Sequence, residues 1–508
     1  MPDLLNELSW RGLLAQVTHE DALRKHLASG ARRGYVGFDP TADSLTIGNL
    51  VPIMLLAHLQ RAGHAPVVVA GGGTGLIGDP SGKSAERQLM SRERVEANVN
   101  AQKRIYERVL DFTGPDAERR ATLVNNADWL CNLGFVEALR DIGKHFSVNM
   151  MIQKESVKER LRNRDQGISY TEFSYMILQA YDFLHLYRDQ GVTLQMGGSD
   201  QWGNIVAGID LIRRYRSGAM ASAFTLLEGW QLASAGRDPV GAAASFGPTL
   251  VAFTNLFKSG EWKQEDVDDV IRALQQVERA SDEGDAIGGM VGNIRKYRND
   301  AFGLTAPLVQ KADGGKFGKT ESGAIWLTAD RTSPYNFYQF WLNADDADVF
   351  KFLKIFTFLS QEEIKGLESA HAANPGAREP HRALANAVTT MMHGEAEAQH
   401  AQAAAKALFS GEIAHLPEAT LRDVFANVPS SEHPKAQLDA GVPALDLLVT
   451  TKLAQSKREA KEFLASGSVT VNGRKLAPDD RLNAQDLLHG SLMALRRGKK
   501  NWHLTRWV

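Results

Sequence analysis

Tyr35-Val36-Gly37-Phe38-Asp39-Pro40-Thr41-Ala42-Asp43-Ser44-Leu45-Thr46-Ile47-Gly48-Asn49-Leu50 runs from an apolar strand through a polar turn into the start of a helix. The spacing predicts a strand over Arg33–Phe38. A helix N-terminus presents free backbone N–H groups, a natural seat for phosphate. Gly48 leaves room for another group, such as adenine or ribose, to come close to that helix. An ordinary strand–turn–helix corner would carry the same residues, so this stretch alone argues the fold and not the chemistry. The pattern recurs downstream. A strand over Pro66–Gly71 ends in Gly72-Gly73-Thr74-Gly75-Leu76-Ile77-Gly78-Asp79-Pro80-Ser81-Gly82-Lys83. A strand over Val192–Met196 precedes GGSDQWGN and a helix to about Arg216, and a strand over Leu304–Val309 leads to KADGGKFGKTESG. Strands that alternate with helical patterns predict an α/β, Rossmann-like parallel sheet. In such a sheet, ligands bind outside the carboxyl ends of the strands, where all these loops would converge.

Outward from that core the chain divides. Residues 131–190 read as mostly helical, with apolar residues at three- and four-residue spacing. Residues 217–298 interrupt the α/β pattern and contain an amphipathic helix over Gln264–Ala280, with Val267, Val270, Ile271, Leu274 and Val277 on one face. Residues 330–435 are alanine-rich and helical, consistent with a bundle. Pro429, Pro434 and Pro443 suggest a linker over 428–443, and 443–508 reads as a small α+β module.

Composition narrows the class. The 508 residues are 43% hydrophobic and 23% charged, with a formal charge of −2, so any nucleic-acid contact must come from local patches. Cys131 is the single cysteine; it rules out an internal disulfide and a multi-cysteine zinc site and is expected to be a buried small hydrophobe. No apolar run is long enough to span a membrane. The amino-terminal residues mix acids with apolar side chains and do not form a secretion signal.

Other groups carry chemistry. Asp79 beside Lys83 suits a zwitterion and phosphates, although the spacing is not the Walker pattern. Tyr175, Gln179 and Asp182 lie on one face of a helix, and a bound polar ligand is one way to satisfy them; an internally bonded stripe is another. Lys316-Phe317-Gly318-Lys319-Thr320 sets two lysines on a glycine-containing loop, suited to charge on a leaving pyrophosphate or simply to solvent.

Together these motifs resemble the class I aminoacyl-tRNA synthetases, and among them the bacterial-type tyrosyl enzymes. Residues 46–49 stand at the HIGH signature and 316–320 at the KMSKS-type loop, while GFDPTADSL, GDPSGK, EFSYMILQAYDF, GGSDQWGN and KFGKTESG follow in order. The resemblance implies a ligase that activates L-tyrosine with ATP, accompanied by Mg²⁺, and transfers it to the 3′ end of tRNA(Tyr). It implies a cytoplasmic homodimer with no membrane and no tightly bound protein metal. Its domains would be a catalytic Rossmann domain over 1–216 and 299–329, with a helical dimer-interface insertion over 115–190. A helical anticodon-side domain over 330–430 and an RNA-binding module over 443–508 would follow.

Residue by residue, Tyr35 and Asp182 would hold the phenol hydroxyl. Asp79, Tyr175 and Gln179 would hold the α-ammonium, with Gln195 and Gln201 nearby and Asp39 positioning tyrosine and the reacting phosphate. Gly37, Gly48, Asp200 and Lys319 would serve ATP. Thr41, Thr46, Asn49, Lys83, Arg87, Lys316, Lys319 and Thr320 would serve phosphate and transition-state charge. The family's two signature histidines are Thr46 and Asn49 here, and Thr46 is the feature that would favour a catalytically weakened RNA-binding relative. Tyr35 and Asp182 argue against a ligase for another aromatic amino acid.

Two regions stand apart. The stretch 217–298, with 11 acidic and 8 basic residues, should leave the sheet on the face opposite the site; its helix starts at the site's rim and runs away for about 20 Å at roughly 1.5 Å per residue. A structural or protein-contact role fits it better than an RNA arm. The module 443–508 holds 12 Lys and Arg against 6 Asp and Glu and resembles a small RNA-binding domain known from a ribosomal protein. Lys457, Arg458, Arg496, Arg497, Lys499 and Lys500 are its candidate phosphate contacts.

Overall fold

The computed structural model describes residues 3–508 apart from 80–89, 155–156, 159–160, 162–167, 236–261, 263, 281–283, 316, 321–322, 426–427 and 499–500. The chain forms two compact units, 1–318 and 319–508.

The first unit is built on six strands: β1 (Gln16–Val17), β2 (Arg33–Phe38), β3 (Ala65–Ala70), β4 (Thr122–Asn125), β5 (Val192–Gly198) and β6 (Phe302–Ala306). Their order is β1-β6-β5-β2-β3-β4. Strands β2 to β6 are parallel and β1 pairs antiparallel to β6. Every residue of β3 is buried, as a continuous Val-rich run in a central parallel strand should be. The order reverses between β2 and β5, which places the topological switch point, and the ligand crevice, at their carboxyl ends. The strand expected over Leu304–Val309 is Phe302–Ala306 instead. The helix Leu50–Arg61 crosses from β2 to β3, and it packs closely because Gly34 has no Cβ, which would come within 2.8 Å of Leu59.

The helix expected to end near Arg216 runs from Trp202 to Ala235. Nothing breaks it at Ser217-Gly218, because its next turns find a partner. Met220, Ala223 and Leu227 pack with Val267, Val270, Leu274 and Val277 of Gln264–Ala280 and with Ile287, Val291 and Ile294 beyond. The stretch 217–298 thus has a hydrophobic core of its own. Its base is tied down by buried Arg216, which donates to the Trp262 carbonyl at 3.1 Å and to Asp300 at 2.8 Å. Asn299 and Asp300 precede β6, so this base lies at the amino end of the strand, away from the crevice.

In the second unit, helices from Pro334 to Ser410 enclose Phe337, Trp341, Phe352 and Phe356. A five-stranded sheet follows, with the helices Ala444–Thr450 and Lys457–Ala465. The segment expected as a linker is partly sheet: Ser430–His433 pairs in parallel with Asn501–Trp507. Alternation of the side chains in SSEH was masked by the surrounding prolines. Among the described residues no helix is long and apolar enough to cross a membrane. Cys131 is exposed, not buried as expected; it follows the short helix Ala127–Leu130, none of whose residues is buried.

Candidate active site

Tyr35 on β2 and Gln195 on β5 are partners in register. Both side chains are buried, and neither the Tyr35 hydroxyl nor Gln195 Oε1 has a hydrogen-bond partner. Asp182, from the helix Tyr170–Gln190, is buried beside them. Its Oδ1 accepts from Trp129 Nε1 at 2.7 Å and its Oδ2 from Asn126 Nδ2 at 2.8 Å. Burial raises the carboxyl to about 7, the two donors oppose that rise, and the Asp39 charge adds to it. The Tyr35 hydroxyl is pushed up by burial and by Asp182.

A second network continues from Asn126. Its Oδ1 accepts from Gly73 N at 2.7 Å and its Nδ2 also donates to Thr74 Oγ1 at 3.0 Å. Thr74 donates to Asp39 at 3.1 Å, and the Tyr175 hydroxyl donates to the Asp39 oxygens at 3.2 and 3.3 Å. The glycine-rich loop is required by this packing. A Cβ at Gly71 would lie 2.5 Å from Asp39 Oδ1, and one at Gly72 would lie 2.1 Å from Asn125 Oδ1.

A separate chain of side-chain amides ends at Asp79. Asn204 Nδ2 donates to Gln179 Oε1 at 2.9 Å, Gln179 Nε2 to Gln201 Oε1 at 3.3 Å, and Gln201 Nε2 to Asp79 at 2.8 Å. Gln201 also reaches Asp200 at 3.4 Å. Asp200 sits exposed on the turn after β5, and Gly37, Thr41 and Gly48 are exposed around the end of β2. Thr46 and Asn49 are bonded to each other, and Gly318 of the lysine loop rests on Ile47 between them.

Of the tyrosine-side candidates, Asp182, Asp39 and Tyr175 are linked through Asn126 and Thr74, Gln179, Gln201 and Asp79 form a second linked group, and Tyr35 and Gln195 lie in register on neighbouring strands. Lys83, Arg87 and Lys316 lie outside the described residues, as do Lys499 and Lys500. Lys319 and Thr320 form a short strand paired with Gly323–Ala324 in the second unit. Asn126, Trp129, Thr74 and Asn204 were not singled out as site residues. Asn126 and Trp129 follow β4, so the rule that loops at carboxyl strand ends bear function would have found them, had Thr122–Asn125 been read as a strand.

The basic candidates of the carboxyl-terminal module have mixed surroundings. Lys457 pairs with Asp446 at 2.6 Å, and largely exposed Arg458 with Glu462 at 3.4 Å. Arg496 donates to the Leu408 carbonyl at 3.3 Å and lies over Trp502; Arg497 donates to the Leu453 carbonyl at 2.7 Å and lies over Phe463.

A parallel sheet with its polar crevice at the switch point, and the Thr46–Asn49 turn at its mouth, is the catalytic architecture of class I aminoacyl-tRNA synthetases. The family model described as tRNA synthetases class I (W and Y) matches residues 29–232 and 288–410, and the tyrosine–tRNA ligase SYY-like C-terminal domain matches 420–505. The chain is 44% identical to a tyrosine–tRNA ligase of Geobacillus kaustophilus, covering 100% of both, and 41% identical to one of Escherichia coli, covering 99% of both. A mitochondrial tyrosyl-tRNA synthetase of Aspergillus nidulans superposes with a TM-score of 0.58 at 25% identity, over 80% of this chain and 95% of that one. The chain belongs to the tyrosine–tRNA ligase family. The family model passes over 233–287, a shorter stretch than the 217–298 read as an interruption.

Proposed function

We propose that the protein joins tyrosine to tRNA(Tyr) in two steps, and that the crevice between β2 and β5 performs the first. The observation that carries this reading is the pair of unpartnered buried polar atoms on Tyr35 and Gln195 beside the Asp182 carboxyl. Buried polar atoms left unbonded cost free energy, and a ligand with a hydroxyl at one end would satisfy them. A site built to bond a hydroxyl rejects the analogue that lacks it, tyrosyl synthetases being the standard example of that rule.

In this reading the phenol lies between Tyr35 and Asp182, and the α-ammonium faces Asp79, Tyr175 and Gln179. The bonds Tyr175–Asp39 and Gln179–Gln201–Asp79 hold those groups in place beforehand, so little reorganisation is needed on binding. The carboxylate of tyrosine attacks the α-phosphorus of ATP and pyrophosphate leaves in line. Asp200 serves the ribose, Gly37 and Gly48 admit the nucleotide, and Thr41, Asn49 and the lysine loop meet the phosphates. The 3′-terminal hydroxyl of tRNA then attacks the aminoacyl carbonyl and releases AMP. Catalysis is positioning and charge stabilisation, with no protein nucleophile. Mg²⁺ enters with ATP.

The protein works in the cytoplasm as a homodimer. Supporting the dimer, Phe135, Val136 and Met150 are 69%, 75% and 61% exposed, with Leu139, Val148 and Ile152 near them in sequence. Clustered exposed apolar side chains mark an interaction surface. The test is ATP–pyrophosphate exchange driven by tyrosine, beside phenylalanine and tryptophan. Exchange with tyrosine alone supports the reading. No exchange would favour a catalytically weakened RNA-binding relative.

A further inference from the structure

Asn49 opens the helix Leu50–Arg61 and stands half-exposed beside exposed Gly48. Two donors converge on its Oδ1: the backbone N–H of Thr46 at 3.1 Å and the Thr46 hydroxyl at 3.0 Å. A backbone N–H can only donate. The atom it meets is therefore the carbonyl oxygen, and the orientation of the Asn49 amide is fixed by chemistry. Nδ2, a two-proton donor, is left without a partner among the described residues.

We propose that Thr46 is a positioning residue, acting on the nucleotide through Asn49. Its single hydroxyl proton is committed to Asn49 Oδ1, so it is not offered to a phosphate. With that proton committed, the hydroxyl has only lone pairs left to offer, and these repel an anion. The donor delivered at the crevice is Asn49 Nδ2, and Thr46 keeps the amide from rotating to present its oxygen instead. Gly318 closes over the same turn: a Cβ there would lie 2.5 Å from Ile47 Cγ2. The turn is therefore held from above as well as from within.

This inference rests on the tyrosine-activation reading and has its own test. The full-length enzyme is assayed for tyrosine-driven ATP–pyrophosphate exchange as wild type, Thr46→Val, Thr46→Ser, Asn49→Ala and the double variant Thr46→Val/Asn49→Ala. Thermal midpoints show that each is folded. Loss of one orienting hydrogen bond should cost Thr46→Val about threefold to tenfold in kcat/KM for ATP, while KM for tyrosine stays unchanged. Thr46→Ser, which keeps the hydroxyl, should recover most of that loss. In the Asn49→Ala background Thr46→Val should cost nothing further, because a residue that works only through another is silent once that other is gone. Equal losses in both backgrounds would overturn the proposal and make Thr46 a direct phosphate donor. A Thr46→Val enzyme with wild-type kinetics would overturn it too. An inactive wild type would instead refute the underlying reading, so the two failures are distinguishable.

Discussion

Tyr35 and Gln195 face each other in register across the parallel pair β2 and β5, each burying a polar atom that the protein does not satisfy. Their strands flank the point where the sheet reverses order, so the deficit sits where a ligand can repair it. Removing the Tyr35 hydroxyl should therefore separate stability from binding. Tyr35→Phe deletes an unpaired buried group and should shift unfolding free energy by no more than about 1 kcal/mol. The same change removes a ligand contact and should raise KM for tyrosine about threefold to tenfold. Thermal melts beside exchange kinetics check both. A destabilised protein with unaltered KM would show that the hydroxyl serves the fold.

If Asp182 receives the phenol as proposed, its carboxyl, raised to about 7 chiefly by burial, should give tyrosine binding a pH dependence. Its unfolded value is about 4, so between roughly pH 4 and 7 the native state holds the extra proton. The stability this site contributes is present at low pH and declines as pH rises through 7. Binding runs the other way, because a phenol hydroxyl donates more strongly to a carboxylate than to the carbonyl oxygen of a protonated acid. Affinity for tyrosine should improve about tenfold from pH 6 to pH 8. Fluorescence titration across that range measures it, and Asp182→Asn should flatten the profile.

Much of this candidate site, as a set of polar residues at strand ends and on one helix face, could be read before any coordinates. Tyr35, Asp182, Gln195 and the amide chain all lie in strands ending at Gly-, Asp- and Asn-rich turns, or on a helix face that no apolar packing explains. What escaped was what those residues do to one another. Asn126 and Trp129 hold Asp182 from 56 and 53 positions away, and sequence spacing carries no trace of such a contact. Tyr175 donates to Asp39, a pairing set by the β2 turn meeting a helix far along the chain. The end of the Trp202–Ala235 helix was misplaced for a similar reason. Its second half is not sustained by local pattern but by the core that Gln264–Ala280 brings to it.

Gly318 has a positive φ of 81°, and a side chain there would press on Ile47. Gly318→Ala should cost about 1–3 kcal/mol of loop strain and overpacking. The loop and the Thr46–Asn49 turn meet at that contact, so the cost should appear in the activation rate and leave KM for tyrosine alone. Rapid-quench measurement of adenylate formation tests this. A proportional rise in KM for tyrosine would mean that the displacement spreads into the crevice.

Arg216 joins the 217–298 region to the sheet from a buried position, bonding the Trp262 carbonyl, the Asn299 carbonyl and Asp300. Arg216→Met keeps most of the volume but removes the guanidinium donor from the Trp262 carbonyl and from Asp300, while the Asn299 carbonyl keeps the Tyr187 hydroxyl as a donor. The expected loss is about 2–4 kcal/mol, softened because Asp300 is half-exposed and can return to water. Since these bonds lie at the amino end of β6 and the crevice at its carboxyl end, the folded variant should retain wild-type KM for tyrosine and ATP. Denaturant unfolding with exchange kinetics on the same sample measures both, and a raised KM for ATP in a fully folded variant would show that the region communicates with the nucleotide site.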